Sequence, residues 1–556
     1  MGSCIGRRTF LKGAAASGAV ALAAGLAGCA PSADGQAGQV ASRQAAQGAG
    51  PETQSSANIT PVDESFVIQP VVESSVAADE TREADYLVIG SGNCGLLSAA
   101  RASELGLDVV LMEKEASTGG SSFGTEAHFA LDTCAYVKEQ GMVTWTPSEA
   151  ADYFNLYNQF HSSQTLVMSF LNHCNEPYDW WIGKGAKVNQ LLTSLAGPNT
   201  GAGMFFEGKA AALADIDRAV IEENGVVVLT DTRATNLVVD DEGKVVGALA
   251  EGENGTVFVK AKATFVGTGG FGNNPDMVNA YLGERGNAAI VGDAMLYHNG
   301  DGINMMLGVG AITGVLDSVQ PGGIQVADTD YEGDVTRAGG EPFLWVNRFG
   351  QRVGCEYWTN PTYGYALAAW SPGYFFYTLF DASLVRRMET EDFFCQSKYL
   401  PYTYDPVPDM GEQLEAAVSA GAAIKADTLE ELAEKASIPS DALKATVEAY
   451  NEACEAGFDA EFYKDPSMLL PLAEPPYYAL KLECNRLSTL CGVMIDSDCK
   501  VLDENGEWIE GLFAGGLDSA GFFMADYNHA FSGSCSSFSF FTGFHAADVA
   551  AAYVKG

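Results

Sequence analysis

Asp85-Tyr86-Leu87-Val88-Ile89-Gly90-Ser91-Gly92-Asn93-Cys94-Gly95, followed by an Ala- and Leu-rich run from Leu96 to Leu105, decides how this 556-residue chain is read. Asp85 to Ile89 is an apolar run of the kind that forms a parallel strand buried on both faces. The glycine spacing sits between that strand and a helix. There the first Gly allows a tight turn, the second lets backbone approach a pyrophosphate, and the third lets helix pack on strand. A second strand, Asp108 to Met112, ends on Glu113, where a ribose hydroxyl would be bound. The pattern predicts an α/β chain with a Rossmann-like, dinucleotide-binding domain.

Further glycine-rich stretches separate FAD from NAD. Glu113-Lys114 leads into Thr118-Gly119-Gly120-Ser121-Ser122, which can wrap a flavin's pyrophosphate and ring edge with backbone donors. Ala263 to Val266 ends in Gly267-Thr268-Gly269-Gly270-Phe271. Gly511 to Asp518 reads as another strand ending in Gly and an acid suited to a ribityl hydroxyl. The predicted cofactor is FAD. Its expected contacts are Gly90, Gly92, Asn93, Cys94, Gly95, Glu113, Lys114, Thr118 to Ser122, Thr268, Gly269, Gly270, Asp301, Asp518 and Ser534.

The length exceeds one ordinary core, so two domains are expected. A net charge of −41 repels nucleic acid and anionic membrane. Arg7-Arg8-Thr9-Phe10-Leu11-Lys12 before the apolar run Gly13 to Gly28 reads as a twin-arginine export signal. That run is too short and too Gly-rich for a good membrane span. Leu26-Ala27-Gly28-Cys29 resembles a lipobox. Peripheral membrane association follows only if Cys29 is lipidated; ordinary cleavage nearby is the alternative. Pro31 to about Ala84 reads as a flexible tether.

Taken in order, the glycine motifs resemble those of the flavoprotein family of fumarate reductase, urocanate reductase and 3-ketosteroid dehydrogenase. Asn299-Gly300-Asp301-Gly302, Phe380-Asp381-Ala382-Ser383, Ala426 to Ala433 and Leu443 to Asn451 agree with it. The resemblance implies a GR2-type FAD-binding domain interrupted by an α+β capping domain. The expected division is a signal peptide over 1–29, a linker over 30–84, the FAD domain over 85–315 and 481–556, and the cap over 316–480. It also implies hydride transfer from reduced flavin to the β-carbon of an activated C=C bond, with a protein acid protonating the α-carbon.

Three positions depart from the fumarate reductase pattern. Aligning Val346 to Arg352 sets Glu356 at the family's glutamate and Asn360 at its arginine acid. Ser488 stands where that pattern has a substrate-clamping histidine. Tyr527-Asn528-His529-Ala530-Phe531-Ser532-Gly533 lacks the second arginine clamp. Asn and Ser do not replace a bidentate guanidinium, so the pattern disfavours a dicarboxylate. Tyr357, Trp358, Tyr363, Tyr365 and Trp370 either pack the cap or, as a group, favour a bulky, apolar, neutral substrate. Tyr527, Tyr363 and Tyr357 are the candidate acids, with Asn360 or His529 as carbonyl donors. Family members acting on a steroid-borne unsaturated lactone, the cardiac glycoside type, provide the leading specific expectation.

Outside the leader's Cys4 and Cys29, ten cysteines remain and no CxxC occurs, which favours buried thiols. The cardiac-glycoside resemblance nevertheless implies testing Cys484, Cys491 and Cys499 as ligands of a [4Fe-4S] cluster. An exported chain without a haem motif would draw electrons from a membrane-bound cytochrome. The competing readings are a 3-ketosteroid dehydrogenase, a fumarate- or urocanate-type carboxylate reductase, and a non-catalytic envelope flavoprotein.

Overall fold

The computed structural model describes residues 60–121, 125, 127–193, 201–288, 290–291, 296–327, 333–356, 361–394, 405–524, 527, 531 and 533–556. The twin-arginine leader, Cys29, Ser122, Tyr357, Trp358, Asn360 and His529 lie outside the described residues, as do the side chains of 361–365. Among the described residues no helix is long and apolar enough to cross a membrane.

A nine-stranded sheet organises the larger core. Its strands are β1 (Val71–Val72), β2 (Glu80–Ile89), β3 (Val109–Met112), β4 (Val227–Leu229), β5 (Arg233–Val239), β6 (Val245–Gly252), β7 (Gly255–Val266), β8 (Lys500–Leu502) and β9 (Trp508–Ala514). The order is β1-β5-β6-β7-β2-β3-β4, with β9 against the carboxyl half of β7 and β8 against β9. The helix α1 (Asn93–Glu104) connects β2 to β3, and Tyr86 to Ile89 are buried as a doubly covered parallel strand requires. In register, Ile89 lies level with Met112 and Val266, and Val266 with Ala514. Four strands from three distant parts of the chain therefore end at one edge, which is where ligands bind in open parallel sheets.

Glycine is required where this edge is tightest. Gly90 has φ +93°, and a Cβ there would lie 2.5 Å from the Gly267 carbonyl oxygen. A Cβ on Gly95 would lie 1.9 Å from the Gly90 oxygen, so α1 could not seat against the turn. The C-terminal helix, Ser534–Lys555, packs on α1 through a similar approach of Gly543 to the Cys94 backbone.

The tether expected to reach Ala84 is corrected from residue 60 onward. Thr60 accepts hydrogen bonds from Thr313 and Leu316, β1 pairs with β5, and β2 begins at Glu80. Val67, Ile68, Val71 and Val76 pack on the sheet's cores. Short apolar doublets in a polar run carry little periodicity, yet they bury once a sheet edge is present.

A second, six-stranded sheet is built on the long strand Tyr477–Thr489, which pairs with Phe375–Asp381, Val319–Val326, Ile290–Val291 and Ile424–Ala426. Leu344–Val346 extends it, and helices including Ser440–Ala456 cover it. Beside it lies a buried ion network. Arg352 grips Glu356 bidentately (2.8 and 2.7 Å) and Asp459 bidentately (3.0 and 2.9 Å). Lys464, wholly buried, donates to Tyr450 Oη and the Pro342 carbonyl and lies 3.4 Å from Glu356. Breaking a buried pair leaves an uncompensated charge. Arg352→Leu is expected to lower unfolding free energy by about 3–5 kcal/mol, measured by denaturant titration against the wild type.

Candidate active site

At the shared carboxyl edge, the first turn and the second glycine loop are tied together. Glu113 accepts the backbone N–H of Ser91 (2.9 Å), the Ser91 hydroxyl and the Glu115 N–H. Gly119 N–H donates to Ser91 O (2.9 Å), and a Cβ on Gly120 would touch Gly92 Cα at 3.5 Å. Thr118 is held from outside by Arg218, which uses both the Thr118 hydroxyl and carbonyl. That hydroxyl is thus occupied by the protein itself. The N-terminus of α1 carries no side-chain cap, leaving its backbone donors directed at the loop.

The third and fourth motifs meet across the edge. Asp518 accepts from Gly269 N–H (2.9 Å) and from Thr268 Oγ1 (3.1 Å), while Thr268 Oγ1 accepts from Gly302 N–H (2.9 Å). Burial pushes the Asp518 carboxyl up to about 7 against those hydrogen bonds. Gly302 belongs to α2 (Asp301–Gly308), whose first residue is paired with Arg233 (2.6 Å) and Lys114 (3.2 Å). Burial opposes ionisation of Asp301, but the two cations outweigh it and hold its pKa low. Lys114 is thereby placed beside Asp301 rather than standing alone after Glu113.

Some buried polar atoms at this edge have no hydrogen-bond partner among the described residues. Ser121 Oγ and His298 Nδ1 make no hydrogen bond. Burial drives the His298 pKa down to about 4, so its ring is neutral. Orphaned polar atoms, a glycine cradle and an uncapped helix start fit a dinucleotide with hydroxyls and phosphates to satisfy. Gly90–Gly95, Glu113, Gly119–Ser121, Gly269 and Asp518 would hold FAD, which supplies two-electron redox chemistry when bound. His298 was missed in the sequence; its place directly before Asn299-Gly300-Asp301 is the signal that could have found it.

Beyond the cradle, the last residues of the strand Tyr477–Thr489 approach α3 (Ser534–Lys555). Thr489 Oγ1 accepts the Phe271 N–H, and a Cβ on Gly270 would meet that oxygen at 2.0 Å. Ser488, 4% exposed, donates to Gln320 Oε1 at 2.9 Å, with Cys535 Sγ 4.0 Å away. Gln320 and Cys535 were not among the expected site residues. Their positions depend on pairing between segments 168 and 47 residues apart, which no local pattern reports.

Tyr527 is buried among Phe523 and the phenylalanines preceding α3. Its hydroxyl accepts Gly533 N–H (2.8 Å) and donates to Phe531 O (3.3 Å), and burial raises its pKa. This geometry ties the hydroxyl to the turn that starts α3. Tyr363 lies on the helix Pro361–Trp370, and Trp370 at its end is 77% exposed, so that tryptophan is no part of an enclosed aromatic wall.

The cluster reading of Cys484, Cys491 and Cys499 is corrected. Cys484 packs in the core of the second sheet, whereas Cys491 and Cys499 belong to the core of the first. Among the described residues no group of three His, Cys, Asp or Glu side chains is arranged to hold a metal.

Residues 85–530 match the model of the family described as "FAD binding domain". The chain belongs to this family. It is 26% identical over 488 residues to vinyl phenol reductase of Lactiplantibacillus plantarum, covering 84% of this chain and 96% of that one. It is 24% identical over 566 residues to digoxin reductase of Eggerthella lenta, covering 92% and 91%. The 3-ketosteroid-Δ4-(5α)-dehydrogenase from Rhodococcus jostii RHA1 superposes with a TM-score of 0.68 at 22% identity, over 87% of this chain and 100% of that one, a likeness of fold. The protein is an FAD-dependent oxidoreductase.

The raised Asp518 pKa has a thermodynamic sign. In cofactor-free protein the folded state keeps this proton up to about pH 7. The unfolded carboxyl releases its proton near its ordinary value, so the Asp518 contribution to stability falls as pH rises from about 4 to 7. Asp518→Asn should remove that part of the pH slope, read as the difference in Tm between variant and wild type from pH 4.5 to 8.

Proposed function

We propose that this flavoprotein acts on CH–CH bonds, as an exported reductase that saturates the C=C bond of a neutral, apolar α,β-unsaturated carbonyl or lactone. The observation that carries the reading is the uncharged pair of buried Ser488 and half-buried Gln320 beside α3 and the Gly269–Phe271 loop. A carboxylate substrate held there would need a cationic clamp, because an unpaired buried carboxylate is strongly disfavoured. Asn360, in place of the family pattern's arginine, points the same way. The vinyl phenol and digoxin reductases, matched over nearly their whole length, add support.

Bound FAD would supply the hydride. The chain's part is to exclude water with the phenylalanines around Phe522, Phe531 and Phe538, to hold the substrate oxygen, and to deliver a proton. Tyr527 is the described candidate for that acid. In this proposal the twin-arginine leader exports the folded protein and a membrane-bound cytochrome donates its electrons. A second reading, a vinyl-phenol-type substrate in which a phenol ring replaces the carbonyl, is favoured by the 96% coverage of the Lactiplantibacillus relative.

Anaerobic holoenzyme reduced with dithionite and methyl viologen, and challenged with digoxin, 4-vinylphenol, fumarate and urocanate, tests the proposal. Reoxidation by a neutral substrate alone is expected; reoxidation by fumarate or urocanate alone would overturn it. Tyr527→Phe should then lower turnover by about a hundredfold or more while FAD content stays unchanged. Unchanged turnover would remove Tyr527 as the acid.

A further inference from the structure

The Ser488–Gln320 hydrogen bond has a direction, and the direction leaves a donor over. Ser488 Oγ–H points at Gln320 Oε1 (2.9 Å), so the glutamine carboxamide is gripped by its oxygen. Its NH2 group, with two donors and no acceptor, has no hydrogen-bond partner among the described residues. Gln320 is only partly buried, while Ser488 behind it is 4% exposed; the serine thus forms the back of the arrangement and the amide its front.

Location gives this donor a use. The strand carrying Gln320 pairs with Tyr477–Thr489 through an irregularity at Pro321, which breaks the ladder directly after Gln320. Thr489, next to Ser488, is hydrogen-bonded to Phe271 and lies against Gly270; Cys535, 4.0 Å from Ser488, is in the first turn of α3. The amide therefore stands where the cofactor loop, the last helix and the second sheet converge. Arg486, two residues earlier on the same strand, directs its guanidinium to the carbonyls of Gly286 and Gly272.

Resting on the reductase reading above, we propose that the Gln320 carboxamide binds the substrate's carbonyl oxygen, with Ser488 as the positioning residue that orients it. A neutral donor with no cation beside it favours a neutral acceptor. Where the C=C bond is conjugated to that carbonyl, the same N–H strengthens as negative charge develops on the oxygen, so one contact serves binding and activation. A hydrocarbon of equal shape leaves the amide unsatisfied and is rejected for that reason.

Full-length oxidised holoenzyme, titrated with 4-phenylbutan-2-one and with butylbenzene while the flavin absorbance is followed, tests this directly. Wild type should bind the ketone about tenfold more tightly than the hydrocarbon. Gln320→Leu should abolish that preference, and Gln320→Glu, which keeps the side chain's shape but loses the N–H donors at neutral pH, should abolish it too. Ser488→Ala should reduce the preference, and Ser488→Thr, which keeps the hydroxyl, should restore it. A wild type without ketone preference, or Gln320 variants that keep it, would overturn the assignment. Failure of the reductase reading appears separately, as viologen-reduced enzyme that leaves 4-phenylbut-3-en-2-one unreduced although the ketone preference is present.

Discussion

The strand β7 is the member on which everything else hangs. It runs parallel to β2 along nearly its whole length and parallel to β9 at its carboxyl end, so Ile89, Val266 and Ala514 finish level. Because Ala514 comes from the C-terminal stretch, the nucleotide edge is complete only when both ends of the chain have joined one sheet. The interval between β7 and β8 returns α2 and the stretch from Leu490 to Cys499 to the first core, while its middle part folds as a second sheet with cores of its own.

This edge was legible in the sequence because it is made of local signals. Gly90–Gly95 and Glu113 sit beside their own strands, and a glycine needed at φ +93° announces itself without knowledge of its neighbours. Asp518 was legible for the same reason. What was not legible depends on distant pairing. Lys114 and Asp301, 187 residues apart, were read as separate cofactor contacts but form one ion cluster with Arg233. Gln320 gave no signal at all, since its importance lies in facing Ser488 across an antiparallel ladder. The residues from Thr60 to Ala84 were misread as tether because composition outvoted a few apolar positions that only the folded sheet can use.

The cysteines illustrate the limit of proximity in sequence. Cys484, Cys491 and Cys499 lie within 16 residues, yet the intervening strand end carries the chain from one core to the other. Burial pushes the Cys491 and Cys499 thiols upward, which fits side chains packed as small hydrophobes. Spacing becomes a ligand set only where backbone geometry folds the residues toward a common point.

The ion network explains how a site can exchange charged for neutral groups without losing its scaffold. Glu356 is wholly buried and would impose a large penalty if its charge depended on a cation at position 360. It does not. Arg352 grips it with two hydrogen bonds and Lys464 stands 3.4 Å away, while Asp459 balances the second positive charge. Two buried cations and two buried anions close on themselves, and Glu461 alone reaches out to solvent. The Glu356 carboxylate therefore has its cationic partners among the described residues and needs none at position 360. A neutral substrate pocket is compatible with this fold because the charge that holds the loops together is settled elsewhere.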